Sequence, residues 1–248
     1  MLFSSKAFYI NISEKEFEAM IKAVIFDLDG TIVDFNLDYK SVRAEVIQTL
    51  NKEGIPSSIL FMNESIFNML KKAEIYVRNN DRKDIDITRV KKEVLSVVNR
   101  HELQAAHATS LMPSILEALK TLNKMKMKLA IFTVNGEKSA SYILRSFRLK
   151  RFFEVVITRE SVSAIKPNPA HLEATLKALN VEPEEAIVVG DSKGDMACAQ
   201  ELNVIAVGVP TGISSPKELT NAGATHLISS AIHLPELIQQ LNSGISTP

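Results

Sequence analysis

The chain has 248 residues, long enough for one large domain or for a core with a smaller second unit. It is 46% hydrophobic and 23% charged, the composition of an ordinary globular protein. Its 29 basic and 29 acidic residues cancel, which excludes the bulk basic footprint of a protein that binds nucleic acid or an anionic membrane.

Residues 1–10 have neither a basic start nor a sustained apolar stretch, so no signal peptide is expected. Residues 1–20 read as an N-terminal extension, with a capping box at Ser13-Glu14-Lys15-Glu16 opening a short helix that carries Phe17 and Met20. Met20 would also serve as a start just before the first strand. That strand is the apolar run Ala23-Val24-Ile25-Phe26, closed by Asp27-Leu28-Asp29-Gly30-Thr31. Residues 34–111 contain no convincing strand. Helices are expected through Val42, Val46, Ile47 and Leu50, then over 66–77 and 88–103, with Gly54-Ile55-Pro56 breaking the first from the second.

From Pro113 the pattern alternates. Ile115, Leu116, Leu119 and Leu122 mark a helix, followed by a strand at 129–132 and a helix at 137–147. A strand at 155–157, a helix at 170–179, a strand at 186–189, a helix at 195–202 and a strand at 204–207 complete the series. The expected fold class is α/β: a Rossmann-like parallel sheet with helices on both faces, plus an inserted all-helical unit. The core is expected over 21–33 and 112–248, and the insert over 34–111. The single cysteine, Cys198, excludes an internal disulfide and reads as a buried small hydrophobe in a reducing cytosol. No apolar run approaches the ~18 residues that span a bilayer, so a soluble, cytoplasmic protein is expected.

In a parallel sheet the residue after each strand faces the ligand edge. Asp27 and Asp29 stand there as a pair that can hold a hard cation, with one member as nucleophile and the other handling a proton. After the second sheet strand comes Thr133-Val134-Asn135-Gly136, whose hydroxyl and backbone N–H groups suit a phosphate, although Thr133 can equally cap a helix. Lys166 lies in a loop stiffened by Pro167 and Pro169; it can neutralise a phosphoryl oxygen, or be a solvated lysine. Gly190-Asp191-Ser192-Lys193-Gly194-Asp195 offers two acids four apart, with Gly190 and Gly194 permitting close backbone approach, and matches the one or two carboxylates that usually hold Mg²⁺. An acidic surface loop is the alternative.

The four segments in this order closely resemble the haloacid dehalogenase superfamily, from about residue 21 to 241. The insert resembles the cap of its phosphoglycolate phosphatase and β-phosphoglucomutase branch, in which Asp is frequent at the position of Asp34. The resemblance implies that Asp27 attacks phosphorus to form an aspartyl-phosphate and that Asp29 first donates and then removes a proton. Thr133, with Val134 and Asn135 beside it, would bind phosphoryl oxygens, and Lys166 would offset developing charge. Mg²⁺ would be held by Asp27, Asp191 and the backbone carbonyl of Asp29, and by Asp195 directly or through water or Lys166. Val134 departs from relatives that place Asn or Ser directly after the hydroxyl residue; Phe35 and Ser114 depart at the hinges.

Because Asp29 is present, phosphoryl transfer is expected rather than carbon–halogen cleavage. The expected activity is Mg²⁺-dependent hydrolysis of a small phosphorylated metabolite, phosphoglycolate- or sugar-phosphate-like. A sugar phosphomutase, a pyrophosphatase and a catalytically silent phosphate- or protein-binding member are the alternatives. Neither nucleic acid nor membrane is an expected partner, and the oligomeric state is not legible. Substrate choice is expected in the insert, where Arg43, Lys71, Lys72, Arg78, Arg82 and Lys83 are either anion contacts or a solvated surface. The five histidines show no metal spacing and read as surface or packing residues.

Overall fold

Every β-branched or aromatic residue of the first strand is taken out of water. In the computed structural model, which describes residues 20–243, strand β1 (Ala23–Phe26) is buried along its whole length. The capping box expected at 13–16 lies outside the described residues.

After β1 come a two-residue strand β2 (Val33–Asp34) and three helices, α1 (Tyr39–Lys52), α2 (Ile66–Asn79) and α3 (Ile87–Ala108). Each begins on an oxygen that accepts from free N–H groups of its first turn: Asp38 for α1, Ser65 for α2, Asp86 for α3. Strand β3 (Ser110–Leu111) then pairs antiparallel with β2, Val33 opposite Leu111. The sequence showed no strand at these boundaries, because two residues carry no periodicity.

The remaining elements are α4 (Ile115–Lys124), β4 (Lys128–Phe132), α5 (Glu137–Ser146), β5 (Val155–Ile157), α6 (Ala170–Leu179), β6 (Ala186–Gly190), α7 (Lys193–Glu201), β7 (Ile205–Gly208), α8 (Pro216–Asn221), β8 (His226–Leu227) and α9 (Leu234–Asn242). Strands β1 and β4–β8 form one sheet in the order β5-β4-β1-β6-β7-β8, every pair parallel. β1 is therefore central, although the insert separates it in sequence from all its neighbours.

Alternation along the strands builds two cores. Val24, Phe26, Leu129, Ile131, Ile187 and Val189 pack with α4, α5 and α9 on one face. Ala23, Ile25, Ala130, Phe132, Ala186 and Val188 pack with α6, α7 and α8 on the other. A third cluster belongs to the insert: Val42, Val46 and Leu50 meet Met69, Leu70, Ala73, Val90 and Val94. Helix α3, at 22 residues, outlasts that cluster, and Ala106 near its end joins the sheet's own core. Among the described residues no helix is long and apolar enough to cross a membrane.

Candidate active site

The parallel register brings the carboxyl ends of β1, β4 and β6 side by side, so Asp27, Thr133 and Asp191 follow neighbouring strands. A cavity of about 390 Å³ opens there, lined among others by Asp27, Asp29, Val134, Lys166 and Asp191.

Lys166 is the hub. Its Nζ donates to Asp27 Oδ1 at 2.6 Å, to Asp195 Oδ1 at 2.6 Å and to the Phe132 carbonyl at 3.0 Å. Burial by itself favours the neutral amine, but the adjacent carboxylates of Asp195 and Asp27 outweigh it and hold the pKa above the usual lysine value. The loop beneath it rests on His171, which is completely buried. Burial, and then the charge of Lys166, push this imidazole down to about 4, so it is neutral. Its Nδ1 accepts the Lys166 backbone N–H at 3.4 Å, and Nε2 faces the Ile157 carbonyl at 3.5 Å, which selects the tautomer protonated at Nε2.

Asp27, Asp191 and Asp195 place carboxylate oxygens within 4.8 Å of one another, all three residues buried. Burial raises the Asp27 carboxyl well above the ordinary carboxylate range; Lys166 opposes this, and repulsion from Asp195, Asp191 and Asp29 adds to it. Asp191 is raised by burial and then by Asp195. Three carboxylates around one ammonium leave an excess of negative charge with all-oxygen donors, which fits a hard divalent cation. The Asp29 side chain stands outside this trio: its Oδ1 accepts from Asn135 Nδ2 at 2.9 Å. Burial pushes the Asp29 carboxyl up to about 8, the Asn135 hydrogen bond opposing and the charge of Glu102 adding.

The remaining expected residues divide. Asn135 is buried and reaches Asp29 directly. Thr133 is fully buried and does not line the cavity; its Oγ1 accepts the Asn135 N–H at 3.1 Å, so it shapes the loop and does not cap α5, whose N-cap is Gly136. Val134 does line the cavity. Asp195 accepts from Ser192 N and Oγ through Oδ2 and leaves Oδ1 to Lys166, so one carboxylate both caps α7 and steadies the hub. Gly190 is needed for the close approach expected of it, since a Cβ there would overlap Asp195. Gly194 is not: a Cβ there meets only ordinary contacts, and the residue lies inside α7.

Two supports were not visible in the sequence. Asp191 Oδ2 accepts the Ile213 N–H at 2.8 Å, and Gly212 lies so close that a Cβ would overlap the same carboxylate. The other is Arg159, after β5, whose Nη1 holds Glu102 Oε1 at 2.7 Å and the Val134 carbonyl at 2.8 Å, while Nη2 reaches Asn99 Oδ1 at 2.6 Å. Glu102 Oε2 in turn accepts the Gly136 N–H at 3.0 Å. A pair of charged residues shared between α3 and the sheet edge thus holds both ends of the loop that carries Asn135.

Comparison with known proteins shows the family of the chain. The model of the haloacid dehalogenase-like hydrolases matches residues 24–209. A phosphoglycolate phosphatase of Neisseria meningitidis is 25% identical over 224 residues, 89% of this chain and 94% of that protein. The pyrophosphatase PpaX of Halalkalibacterium halodurans is 31% identical over 180 residues, 71% of this chain and 77% of its own. Among solved structures, a hydrolase from Pseudomonas syringae superposes with a TM-score of 0.62 at 25% identity, covering 88% of this chain and 98% of that one. A phosphatase from Thermococcus onnurineus gives 0.55 at 26% identity, covering 88% and 98%.

Proposed function

The chain belongs to the haloacid dehalogenase-like hydrolases, and from that premise we propose that it is a Mg²⁺-dependent phosphatase of small phosphate monoesters. The observation that carries the reading is the contrast between two carboxyl groups two residues apart. Asp27 is paired with Lys166, whereas Asp29 has only a neutral amide partner and a pKa lifted to about 8. Burial raises both carboxyls, so their partners divide the roles: Asp27, on an ammonium and within the carboxylate trio, is equipped as a nucleophile, and Asp29, on a neutral amide outside it, as a proton donor.

An Asp27 carboxylate oxygen attacks phosphorus and the ester P–O bond breaks, its electron pair leaving with the alcohol oxygen, which takes the Asp29 proton. In the second half Asp29, now a carboxylate, removes a proton from water as the water oxygen attacks the acyl phosphate. The P–O bond to Asp27 breaks, and inorganic phosphate leaves. Lys166 keeps the Asp27 charge tolerable in a buried site, and of the N–H groups after Thr133 that of Val134 suits a phosphoryl oxygen, since those of Asn135, Gly136 and Glu137 are held by Thr133, Glu102 and Glu160. Asp27, Asp191 and Asp195 would hold Mg²⁺ with the Asp29 carbonyl; when bound, it supplies positive charge beside the phosphate. Helices α1–α3, over residues 34–111, act as a cap on a core formed by 21–33 and 112–248, limiting the entry of water.

Phosphate release from a panel of monoesters, with Mg²⁺ and with EDTA, tests the reading. Release is expected only with the metal. Conversion of a hexose 1-phosphate to the 6-phosphate without free phosphate would overturn it in favour of a mutase. The same assay run against pH reads the acid. Asp29 donates only while protonated, so kcat/KM is expected to fall as pH rises through about 8, and a metal ion beside it moves that limb to lower pH. A rate still climbing above pH 9 would remove Asp29 as the donor.

A further inference from the structure

An ammonium has three N–H donors, and Lys166 spends them on Asp27, Asp195 and the Phe132 carbonyl. Those bonds fix where its protons go. The residue that gives the carbonyl also sets its side chain against the charge. Lys166 Nζ stands over the Phe132 ring, 4.1 Å from its centre. The negative face of an aromatic ring attracts a cation without taking a proton from it, most strongly where water is shut out. Both partners meet that condition: Phe132 is fully buried, and the Lys166 side chain is only 4% exposed.

The ring is held in its turn. Phe132 closes β4, and alternation along that strand points it into the core shared with α6 and α7. The imidazole of His171, at the start of α6, meets it nearly edge-on, with 5.5 Å between centres and 63° between planes. That same imidazole accepts the Lys166 backbone N–H. The two ends of Lys166 therefore rest on one pair of packed rings, the main chain on His171 and the ammonium on Phe132. A lysine stem is flexible, so a charge that must bridge two carboxylates in one geometry needs both ends held.

We propose that Phe132, braced by His171, is a positioning residue whose ring seats the Lys166 ammonium against the nucleophile Asp27. The inference rests on the phosphatase reading and extends it to a ring that does not line the catalytic cavity. Its contribution is to the aim of the lysine, and so to the nucleophile the lysine touches.

Fluorine withdraws charge from a ring face and changes its shape little, which separates attraction from packing. The test replaces Phe132→monofluorophenylalanine, Phe132→difluorophenylalanine and Phe132→trifluorophenylalanine. On the preferred ester kcat should fall stepwise, to about tenfold below wild type at the trifluoro ring, with the melting temperature held. The trifluoro substitution at Phe153, in the core on the other face of the sheet, should leave kcat unchanged. Phe132→Leu keeps the carbonyl and an apolar side chain but no ring, and should lose at least as much activity. Proton NMR reads the contact without turnover: the Lys166 side-chain protons nearest Nζ should lie upfield in wild type, under the ring current, and return to ordinary shifts in Phe132→Leu. A flat kcat along the fluorinated series would make Phe132 a packing residue and overturn the seat, as would ordinary Lys166 shifts in wild type. A wild type that shows the upfield shift yet turns over no ester would overturn the phosphatase reading, and with it the seat's part in catalysis.

Discussion

Asp27→Asn is expected to lower kcat by about four orders of magnitude or more while leaving the protein folded. The amide keeps the size of the carboxylate and an oxygen able to accept from Lys166 Nζ, so the 2.6 Å contact has a neutral replacement. It cannot form the acyl phosphate, because a primary amide is not a nucleophile at phosphorus. Folding should be spared or improved: the buried carboxylate is repelled by Asp195, Asp191 and Asp29, and removing its charge relieves all three. Initial rates on the preferred ester, with thermal melting of both proteins, give the result. Activity above about 1% of wild type would remove Asp27 as the nucleophile, and a large drop in melting temperature would show that its charge supports the fold.

Arg159→Ala is expected to cost about 3–5 kcal/mol of stability, the usual consequence of breaking a buried ion pair from one side. The truncation strands Glu102 among buried groups and frees both the Val134 carbonyl and Asn99. Set against the ~5–15 kcal/mol that holds a typical domain, the loss is large. Glu102→Ala should behave alike, since it leaves the guanidinium only the more exposed Glu160, at 3.6 Å, and the Gly136 N–H unpaired. Joint replacement by Glu102→Leu and Arg159→Met should recover most of the stability, because packed apolar chains substitute well for a desolvated pair.

Activity should not recover with it. Without the two side chains the Val134 carbonyl and the Gly136 N–H lose their partners, and Asn135 between them is aimed at Asp29 only by its backbone bonds to Thr133 Oγ1 and to the N–H of residue 159. A misplacement of about 1 Å at a reacting group costs up to ~100-fold, so kcat should fall about tenfold or more in the joint variant. Denaturant unfolding and kcat, measured together, separate the two roles. A joint variant that regains both would reduce the pair to packing.

The cluster around the catalytic cavity proposed above was legible wherever a polar residue follows an apolar run. Asp27, Asp29, Thr133 and Asp191 sit just beyond strand ends and Asp195 in the first turn of the helix after β6, and alternation with helices is enough to bring such ends to one edge. The insert's helices announced themselves by apolar spacing, and the structure adds their caps, Ser65 and Asp86 among them. Short elements did not: β2, β3 and β8 each have two residues, fewer than any period needs. Gly194 was misread for a related reason, since a glycine beside acids suggests a turn, whereas Ser192 and Asp195 cap a helix that runs straight through it.

Sequence alone thus determined the α/β class, the helical insert and the set of acids with their lysine, because each is written in a local pattern or at a strand end. Tertiary structure decided that β1 lies between β4 and β6, and that Lys166 bridges Asp27 and Asp195. It also set Gly212 and Ile213 against Asp191, and joined Glu102 of α3 to Arg159 beyond β5, 57 residues apart. These are relations between side chains distant along the chain. They arise when burial of three apolar clusters fixes the helices against the sheet, and only then do the charges have partners.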